Sequence, residues 1–531
     1  MISAHSHKKH VAVVGAGISG LRAAEKLIDA GYDVTIIDPA SRVGGKILTV
    51  PLGDEKHNAD VAAEFIDSDQ TNLIELAKAH NVPLIKSGSL NETFHLPNGK
   101  TLSSDEFYKA YLPLSKQIVA DKAIIAADPT GEHAKHLDKI SMSDYLKELA
   151  ANVKDERPLW KRVLLFWQKP KVDPNIIKMA EQIFAGEHGR PASKLSALQF
   201  ALEAGNDTHT FIASDAAWRV EGGTYRLIKA MEARLNPEDS NDPKRAHFSL
   251  GKKVTRIHKN GNGFSLGFGD GEEQRYDQVV FATAAHQLAE VKGLEDIGLP
   301  KEDVETLGNL QYTRNSKITV RLQDTAENRK LFGDQAFEKD PEKIKLLGDE
   351  CFFYSDGYQT WQRPGEGSLV FLLGDELPDK YKNPKDLMKH ALEDFAKGHH
   401  TTVEKLFGTD QLDKLLESGQ MNFQGPGGEK PCYASPSPGQ SLALRHMSES
   451  FYALAQQGGV GFAGTYIPGE NGSVGYMGQG VESAERATSL MTGMSQARSQ
   501  AREIAMEQPQ PDLAEHPLPV PARGERGWGI A

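Results

Sequence analysis

The sequence contains few of the residues and segments that mark several common protein classes. Its 531 residues include only two cysteines, Cys351 and Cys432, so a disulfide framework is excluded and a reducing, cytoplasmic location is expected. No apolar run approaches the roughly 18 residues that a membrane span requires, and no apolar signal segment precedes the first apolar run. We therefore expect a soluble protein without a membrane span or a secretory signal.

Positive charge is scarce as well. The 61 Lys and Arg residues are outnumbered by 73 Asp and Glu residues, which gives a formal net charge of −12. A nucleic-acid-binding protein needs a basic face to meet the phosphates, so this balance argues against a nucleic-acid partner. The chain also contains no H-E-x-x-H or C-x-x-C segment, and we therefore predict no metal centre.

A nucleotide-binding pattern is present near the amino terminus. The apolar run 10–14 (HVAVV) is followed by the Gly-rich segment 15–20, by the helical pattern 21–30 and by the apolar run 33–38, which ends in Asp38. This order predicts a βαβ unit with two parallel strands. The whole chain is long enough for two domains or more.

The residue types of this unit fit a dinucleotide. Gly15 permits the tight turn, Gly17 lets the backbone approach the pyrophosphate, and Gly20, after Ser19, lets the helix pack closely on the strand. The helix N-terminus attracts the phosphates, and the Asp38 carboxylate can accept hydrogen bonds from the ribose hydroxyls. The pattern alone does not separate NAD from FAD.

The next segment favours a flavin. Residues 42–46 read Arg-Val-Gly-Gly-Lys, in which the two glycines allow the chain to run close to a pyrophosphate and Arg42 adds positive charge. The segment resembles the R-x-G-G-R signature of the flavin amine oxidase family, which includes monoamine oxidases and L-amino-acid oxidases. Lys46 stands where that signature has its final arginine. The resemblance implies FAD contacts for Arg42, Gly44, Gly45 and Lys46.

Further segments resemble the same family from about residue 8 to residue 495. The resemblance implies an α/β protein in which a Rossmann-type FAD-binding domain, discontinuous in sequence, is joined to an α+β substrate domain. The predicted FAD-binding domain comprises residues 8–95, 216–305 and 430–500. The predicted substrate-binding domain comprises residues 96–215 and 306–429, and an irregular Pro-rich tail is predicted at 506–531.

The resemblance also implies roles for residues farther along the chain. Val254 would meet the adenine through its backbone, and Lys317 would hold a water against flavin N5. The segment 475–491 resembles the last cofactor helix of the family, whose N-terminus would stabilise negative charge on the reduced flavin. The cofactor contacts implied in the C-terminal region are Gly464, Thr465, Tyr476, Met477 and Val481.

Two tyrosines are implied to line the amine site. Tyr433 and Tyr476 match the pair of rings that flank the amine in monoamine oxidases, where they orient its α C–H bond toward the flavin. Cys432 precedes Tyr433 as the flavin-linked cysteine does in animal monoamine oxidases. Covalent attachment of FAD through this sulfur is one alternative, and a buried free thiol is the other.

The resemblance predicts FAD-dependent oxidative deamination of an amine. Hydride passes from the α-carbon to flavin N5, water hydrolyses the imine, and oxygen reoxidises the flavin with release of hydrogen peroxide. The predicted partners are a small-molecule amine and oxygen, and a homo-oligomer is compatible with the sequence.

Other functions stay open at this point. An L-amino-acid oxidase would need an arginine for the substrate carboxylate, and Arg219, Arg314 and Arg363 are candidates. A flavin desaturase would act on a C–C bond, and the tyrosine pair argues against it. Lys317 argues against a flavoprotein scaffold whose FAD is only structural. The C-terminal flavin segments argue against a nicotinamide dehydrogenase.

Overall fold

The computed structural model describes most of the chain between residues 8 and 493. The exceptions within that range are 88–90, 154–171, 206–214, 240–241, 243, 345–346, 348, 355–357, 375–376, 378–379, 382 and 425–431. The predicted Pro-rich tail at 506–531 lies outside the described residues. Among the helices of the described part, none combines the length and the apolarity that a membrane crossing requires.

The strands are distributed over the whole described chain. They are β1 (His10–Val14), β2 (Asp33–Asp38), β3 (Thr49–Leu52), β4 (Asp54–Asp60), β5 (Leu84–Lys86), β6 (Asn91–His95), β7 (Thr101–Ser103), β8 (Trp218–Val220), β9 (His247–Leu250), β10 (Val254–Asn260), β11 (Gly263–Phe268), β12 (Glu273–Tyr276), β13 (Gln278–Phe281), β14 (Ser316–Arg321), β15 (Glu350–Tyr354), β16 (Tyr358–Arg363), β17 (Ser368–Leu373), β18 (Met421–Gln424) and β19 (Val460–Phe462).

The α-helices alternate with these strands. They are α1 (Ile18–Asp29), α2 (Thr71–Ala79), α3 (Ser104–Ala127), α4 (Glu132–Lys139), α5 (Met142–Ala151), α6 (Pro174–His188), α7 (Ala197–Glu203), α8 (Tyr225–Leu235), α9 (Ala285–Ala289), α10 (Lys301–Asn309), α11 (Ala326–Phe332), α12 (Pro341–Ile344), α13 (Pro384–Gly398), α14 (Val403–Phe407), α15 (Leu412–Glu417), α16 (Ser441–Gln456) and α17 (Met477–Thr492).

A five-stranded parallel sheet forms the nucleotide-binding side of the molecule. Its strand order is β19-β13-β1-β2-β9, and every neighbouring pair is parallel. β1 is central and apolar, so its alternate residues enter two different cores: Val11 and Val13 pack on one face, and Ala12 and Val14 on the other. This arrangement confirms the predicted Rossmann-type sheet.

A second, seven-stranded sheet forms the other side. Its order is β18-β14-β17-β16-β15-β6-β7, and its pairs are antiparallel except for β15 with β6. Helix α6 packs on this sheet next to β16. β6 lies within the segment 8–95 that we assigned to FAD binding, but it pairs in this second sheet; the domain boundaries stay a prediction.

Candidate active site

The turn between β1 and α1 requires glycine at two positions. Gly15 has φ +114°, and a Cβ there would lie 2.4 Å from the carbonyl oxygen of Ala282, which follows β13. A Cβ on Gly20 would lie 1.8 Å from the carbonyl oxygen of Gly15. The positive φ and the close approach of Ala282 require glycine at position 15, where we predicted a tight turn, and the contact with Gly15 requires it at position 20, where we predicted close helix packing.

Gly17 serves a different purpose at the start of α1. It is the N-cap, no side chain caps the helix, and the first turn carries no acidic residue. A Cβ on Gly17 would meet no atom within 4 Å, and Gly45 lies beside it, since a Cβ on Gly45 would be 3.3 Å from the Gly17 Cα. Free helix amides next to open space suit a pyrophosphate, so these residues fit a dinucleotide cofactor.

We call the open space beside Gly17 and Gly45 at the N-terminus of α1 the cradle, and Asp38 lies at one end of it. One carboxylate oxygen accepts the amide of Ala16 at 2.7 Å and the other accepts the amide of Ala40 at 2.8 Å. Each oxygen keeps a lone pair for a ribose hydroxyl. Val254 begins β10 and is 6% exposed. The amide of Lys252, two residues earlier, donates to the Asp38 carbonyl oxygen and so holds this segment beside Asp38. The structure thus brings the two predicted adenosine contacts to one place.

The Arg42–Lys46 segment forms a tight turn that its own side chains support. The Arg42 guanidinium donates to the carbonyl oxygens of Val43 and Gly45. Gly44 has φ +103°, and a Cβ on it would lie 2.9 Å from Tyr225 at the start of α8. The ammonium of Lys46 donates to the carbonyl oxygen of Cys432, which joins this turn to the C-terminal part of the site.

The C-terminal helix α17 packs along α1 with its N-terminus at the same cradle. Gly480 fits against Ser19, since a Cβ there would lie 2.7 Å from the serine oxygen. Gln70 accepts the amide of Gly478 at 3.1 Å, and the helix has no acidic residue in its first turn. Met477 is 8% exposed, whereas Val481 is fully buried in the core.

Thr283 supplies an unpaired polar group to the cradle. Its buried hydroxyl has no hydrogen-bond partner in the structure. Its carbonyl oxygen lies 3.4 Å from the place of a Cβ on Gly464, whose amide donates to Ser483. Thr465 follows, and its carbonyl oxygen accepts the amide of Gly475. A buried hydroxyl without a partner beside the Gly15 turn fits a polar ligand and was not foreseen from the sequence.

The structure places the two predicted tyrosines close together. The Tyr433 hydroxyl donates to the carbonyl oxygen of Glu187 at 2.6 Å and accepts from the Asn315 amide at 3.0 Å. Its ring lies 3.4 Å from the place of a Cβ on Gly475, the residue before Tyr476. Tyr476 is the N-cap of α17. The Cys432 thiol is half-buried and lies 3.6 Å from the carbonyl oxygen of Asn315.

The side chains around the two tyrosines are partly desolvated. Lys46, Glu187, Tyr433 and Tyr476 all keep accessible surface. Burial nevertheless lowers the pKa of Lys46 to about 8 and raises the pKa of Glu187 and of both phenols. In each case the surroundings disfavour the charged form of the group.

Lys317 lies in a buried ionic network between the two sheets. Its ammonium pairs with Glu64, and the other oxygen of Glu64 pairs with Arg363. Arg363 also binds Glu366 at 3.1 Å, and Glu366 in turn pairs with Arg219. The network connects β14 and β16 with the segment that follows β4. No local sequence pattern indicates the pairing of Glu64 with Lys317 or Arg363, because these residues are more than 250 positions away.

The three arginines considered for a substrate carboxylate have different positions. Arg219 and Arg363 are buried and committed to Glu366 and Glu64. Arg314 is exposed.

Acidic side chains surround the tyrosines, and the sequence did not reveal them. Glu203 lies 2.7 Å from the His188 ring and, together with Tyr476, borders a cavity of about 20 Å³ that Asp67 and Asp69 also line. The strongest charged neighbours of the Tyr476 phenol are Glu203, Asp67 and Glu187. Carboxyl groups therefore dominate the charged surroundings of Tyr476.

A parallel Rossmann-type sheet that leads through a glycine turn to a free helix N-terminus is typical of oxidoreductases that bind a dinucleotide cofactor. The particular family is known from the sequence: the chain belongs to the flavin-containing amine oxidoreductases, whose family model matches residues 18–491. Membership confirms the predicted family and its flavin cofactor, FAD.

Curated relatives match parts of the chain. An L-amino-acid oxidase of Siganus canaliculatus is 32% identical over 159 residues, which are 27% of this chain and 30% of that protein. Flavin-containing amine oxidase B of Mus musculus is 24% identical over 226 residues, 42% of this chain and 38% of its own length. The chain thus spans well under two thirds of these relatives.

Solved structures share the fold over a greater length. The cyclohexylamine oxidase from Brevibacterium oxydans IH-35A has a TM-score of 0.68 at 19% identity and covers 92% of this chain and 100% of its own. A redesigned putrescine oxidase has a TM-score of 0.66 at 19% identity and covers 92% and 99%. These likenesses confirm the predicted two-part α/β fold.

Proposed function

We propose that the chain is an FAD-dependent oxidase that deaminates a cationic small-molecule amine, with oxygen as the final electron acceptor. The observation that carries the proposal is the environment of the two tyrosines: the strongest charged neighbours of the Tyr476 phenol are Glu203, Asp67 and Glu187, and Glu187 also acts on the Tyr433 phenol, after Cys432. Negative surroundings stabilise an ammonium group and disfavour a substrate carboxylate. Bound FAD would accept the hydride equivalent that leaves the α-carbon of the amine.

The side chains of this site would bind and orient the amine. The Tyr433 ring is held by hydrogen bonds to Glu187 and Asn315, and Tyr476 is fixed at the N-terminus of α17. Rings fixed in this way flank a substrate without reorganising when it binds. Lys317, held by Glu64, would position a water on the opposite side of the site. Water that reaches the product imine then releases the carbonyl compound and ammonia or a smaller amine.

An L-amino-acid oxidase is the second candidate, and the 32% identical relative favours it. Such an enzyme needs a cation for the substrate carboxylate. Arg219 and Arg363 are already paired with carboxylates, and Arg314 is exposed, so the structure supports a simple amine better.

Hydrogen peroxide release decides between the two candidates. The purified, flavin-containing protein is supplied with unbranched primary amines and, separately, with the L-amino acids of matching side chains. Turnover of the amines with little turnover of the amino acids supports the proposal. The reverse order would establish the amino-acid oxidase, and a flavin-containing protein that oxidises neither class would refute both.

Four sequence predictions accompany this proposal. Covalent attachment of FAD through Cys432 is one of two alternatives, the other being a buried free thiol; the thiol is half-buried, and the carbonyl oxygen of the residue contacts Lys46. A cytoplasmic location is supported by the scarcity of cysteine. A homo-oligomer and the domain boundaries given above stay predictions.

A further inference from the structure

A cavity of about 910 Å³ lies at the edge of the parallel sheet where its strands begin. The first residues of three neighbouring strands line it: His10 of β1, Gln278 of β13 and Val460 of β19. These strands are parallel, so the cradle lies at their other ends. Since a strand rises about 3.3 Å per residue, His10 is roughly 13 Å from Val14 along β1. The cavity is therefore separate from the flavin site, and its volume is that of a small-molecule site.

Two buried polar side chains line this cavity with hydrogen-bonding capacity to spare. Tyr276 and Gln278 are both at most 2% exposed. Neither the Tyr276 hydroxyl nor the Gln278 side-chain oxygen has a hydrogen-bond partner among the described residues. The Gln278 nitrogen donates to the carbonyl oxygen of Gly458, so the amide is held while its oxygen is unused. Buried polar groups are normally paired, and a ligand that accepts from the hydroxyl and donates to the amide oxygen would pair both.

The charged side chains that line the cavity are four cations and two carboxylates: Lys8, Lys9, Lys259, Arg275, Asp33 and Asp277. We call these six side chains the rim; all are exposed except Asp277, which is half-buried. Asp277 already accepts the His10 amide at 2.8 Å and the Arg275 guanidinium at 3.4 Å. Within the described part of the chain, none of the three lysines forms a salt bridge. Three lysines thus outweigh the one remaining carboxylate, Asp33, and the rim attracts anions.

The remaining wall of the cavity is apolar. Four buried side chains of one hydrophobic core line it: Phe264, Ile297, Leu454 and Val460. The His10 ring packs against Tyr276 with ring centroids 4.8 Å apart, and burial lowers the pKa of His10. This ring is therefore neutral at about pH 7 and adds an aromatic surface rather than a charge. Such a wall suits the hydrocarbon or aromatic body of a ligand.

We propose that this cavity binds a small organic anion. The ligand has an apolar body, an anionic group that the lysines of the rim attract, and a hydrogen-bond donor for the Gln278 oxygen. The site goes beyond the proposed oxidase function and does not depend on it. A nucleic acid is a poorer fit, because the chain as a whole carries a net charge of −12.

Calorimetric titration of the flavin-containing protein with 4-hydroxyphenylacetate tests the proposal, and 4-hydroxyphenylacetamide is the uncharged counterpart. Both probes carry the aromatic body and the hydroxyl donor, but only the first is an anion. We expect the acid to bind about tenfold more tightly than the amide, the difference typical of a charged hydrogen bond, and its Kd to rise with salt because the rim is exposed. Phenylacetate, which lacks the donor, should bind about 3- to 10-fold more weakly than the hydroxylated acid.

A triple variant tests the cations of the rim: Lys8→Gln, Lys9→Gln and Lys259→Gln. It should raise the Kd of the acid by about tenfold and leave the Kd of the amide unchanged. The matched control changes the net charge equally, at three lysines on α4, α5 and α13 that are exposed and do not line the cavity: Lys135→Gln, Lys147→Gln and Lys389→Gln. Salt screens charges at that separation, so the control should bind the acid as the wild type does.

Tyr276→Phe tests the buried end of the site. The variant should raise the Kd of the acid by about 3- to 10-fold. It should not lower the thermal unfolding temperature of the ligand-free protein, because the hydroxyl has no partner to lose among the described residues. The acid should raise that temperature in the wild type, since a ligand that binds only the folded chain stabilises it, and should raise it less in Tyr276→Phe.

Binding at the active site would give a different pattern. Competitive inhibition of amine oxidation by the acid, with an inhibition constant equal to its Kd, would place the acid beside the flavin and overturn the proposal. Equal affinities for the acid and the amide, or for the acid and phenylacetate, would overturn the ligand class. An unchanged Kd in the lysine and Tyr276 variants, or no saturable binding of the acid at about 10 mM, would overturn the site. None of these outcomes bears on whether the protein oxidises amines, which hydrogen peroxide release decides separately.

Discussion

Replacing Glu64 with glutamine tests whether the ionic network between the two sheets depends on its central carboxylate. The Glu64 side chain is 1% exposed and contacts both Lys317 and Arg363. Burial alone would raise the pKa of its carboxyl, but Arg363 and Lys317 outweigh burial and hold that pKa below its usual value. Glutamine keeps the shape and removes the charge, so two buried cations lose their shared partner.

The expected loss of stability follows from what each cation retains. Arg363 keeps Glu366 at 3.1 Å, whereas Lys317 keeps a carbonyl contact with Ala62 at 3.4 Å. Removing one partner of a buried ion pair costs about 3–5 kcal/mol, and we expect Glu64→Gln to lower the free energy of unfolding by this amount. Lys317→Met leaves Glu64 paired with Arg363, so its cost should be smaller, about 1–3 kcal/mol.

Urea titration of the flavin-saturated proteins, followed by circular dichroism, measures both losses. Glu132→Gln is the control, because Glu132 pairs with Lys135 on the surface and its loss should barely move the midpoint. A cost below about 1 kcal/mol for Glu64→Gln would refute the reasoning, since it would mean that water or other groups satisfy the two cations. Equal losses of unfolding free energy in Glu64→Gln and Lys317→Met would refute the expectation that the loss is larger in Glu64→Gln.

Three further predictions concern pH, the cradle and the cofactor bond. Burial lowers the pKa of His399 from 6.5 to about 4 and also lowers the pKa of the neighbouring His95, so both side chains are neutral in the folded protein. Their contribution to stability is complete above pH 6.5, and the free energy of unfolding should fall by about 3 kcal/mol as the pH drops to 4. Urea midpoints at several pH values will show this loss, and His399→Gln should reduce it. Gly17→Ala should leave the thermal unfolding temperature nearly unchanged, because the added Cβ meets no atom within 4 Å. The same variant should lower the flavin-to-protein absorbance ratio, and a normal ratio would contradict the assignment of Gly17 to the pyrophosphate site. If FAD is bound through Cys432, flavin colour stays with acid-precipitated wild-type protein and passes to the supernatant in Cys432→Ser, whereas release from the wild type would exclude the bond.

The parts of the fold that carry a local pattern could be predicted from the sequence. β1 and β2 begin and end where their apolar runs do. Helix α1 starts at Ile18, three residues before the periodic segment 21–30, because part of the Gly-rich segment is itself helical. β9 was not predicted: it is a short edge strand with exposed and half-buried residues, so no hydrophobic pattern marks it.

The candidate site was predictable only where a motif is continuous in sequence. Gly15, Gly17 and Gly20 fall within six residues, so their spacing alone indicated a cradle. The pairing of Glu64 with Lys317, by contrast, joins residues more than 250 positions apart. Neither residue type is unusual where it stands, and only the packing of the large sheet on the segment after β4 brings them together. The same holds for Glu187, whose hydrogen-bond partner Gln359 lies on β16 in a different segment.

The order of strands in the parallel sheet has a consequence for how the protein is made. Its neighbours β1, β13 and β19 come from the beginning, the middle and the last part of the described chain. Contacts between segments so distant in sequence form slowly, because the entropy of closing a long loop is lost before the contacts stabilise the chain. At about 5–20 residues per second, synthesis must pass residue 492 before both β19 and α17 can pack beside β1 and α1. Flavin capture is therefore a late event, and a nascent or truncated chain exposes the apolar edge of β13 for as long as β19 is missing.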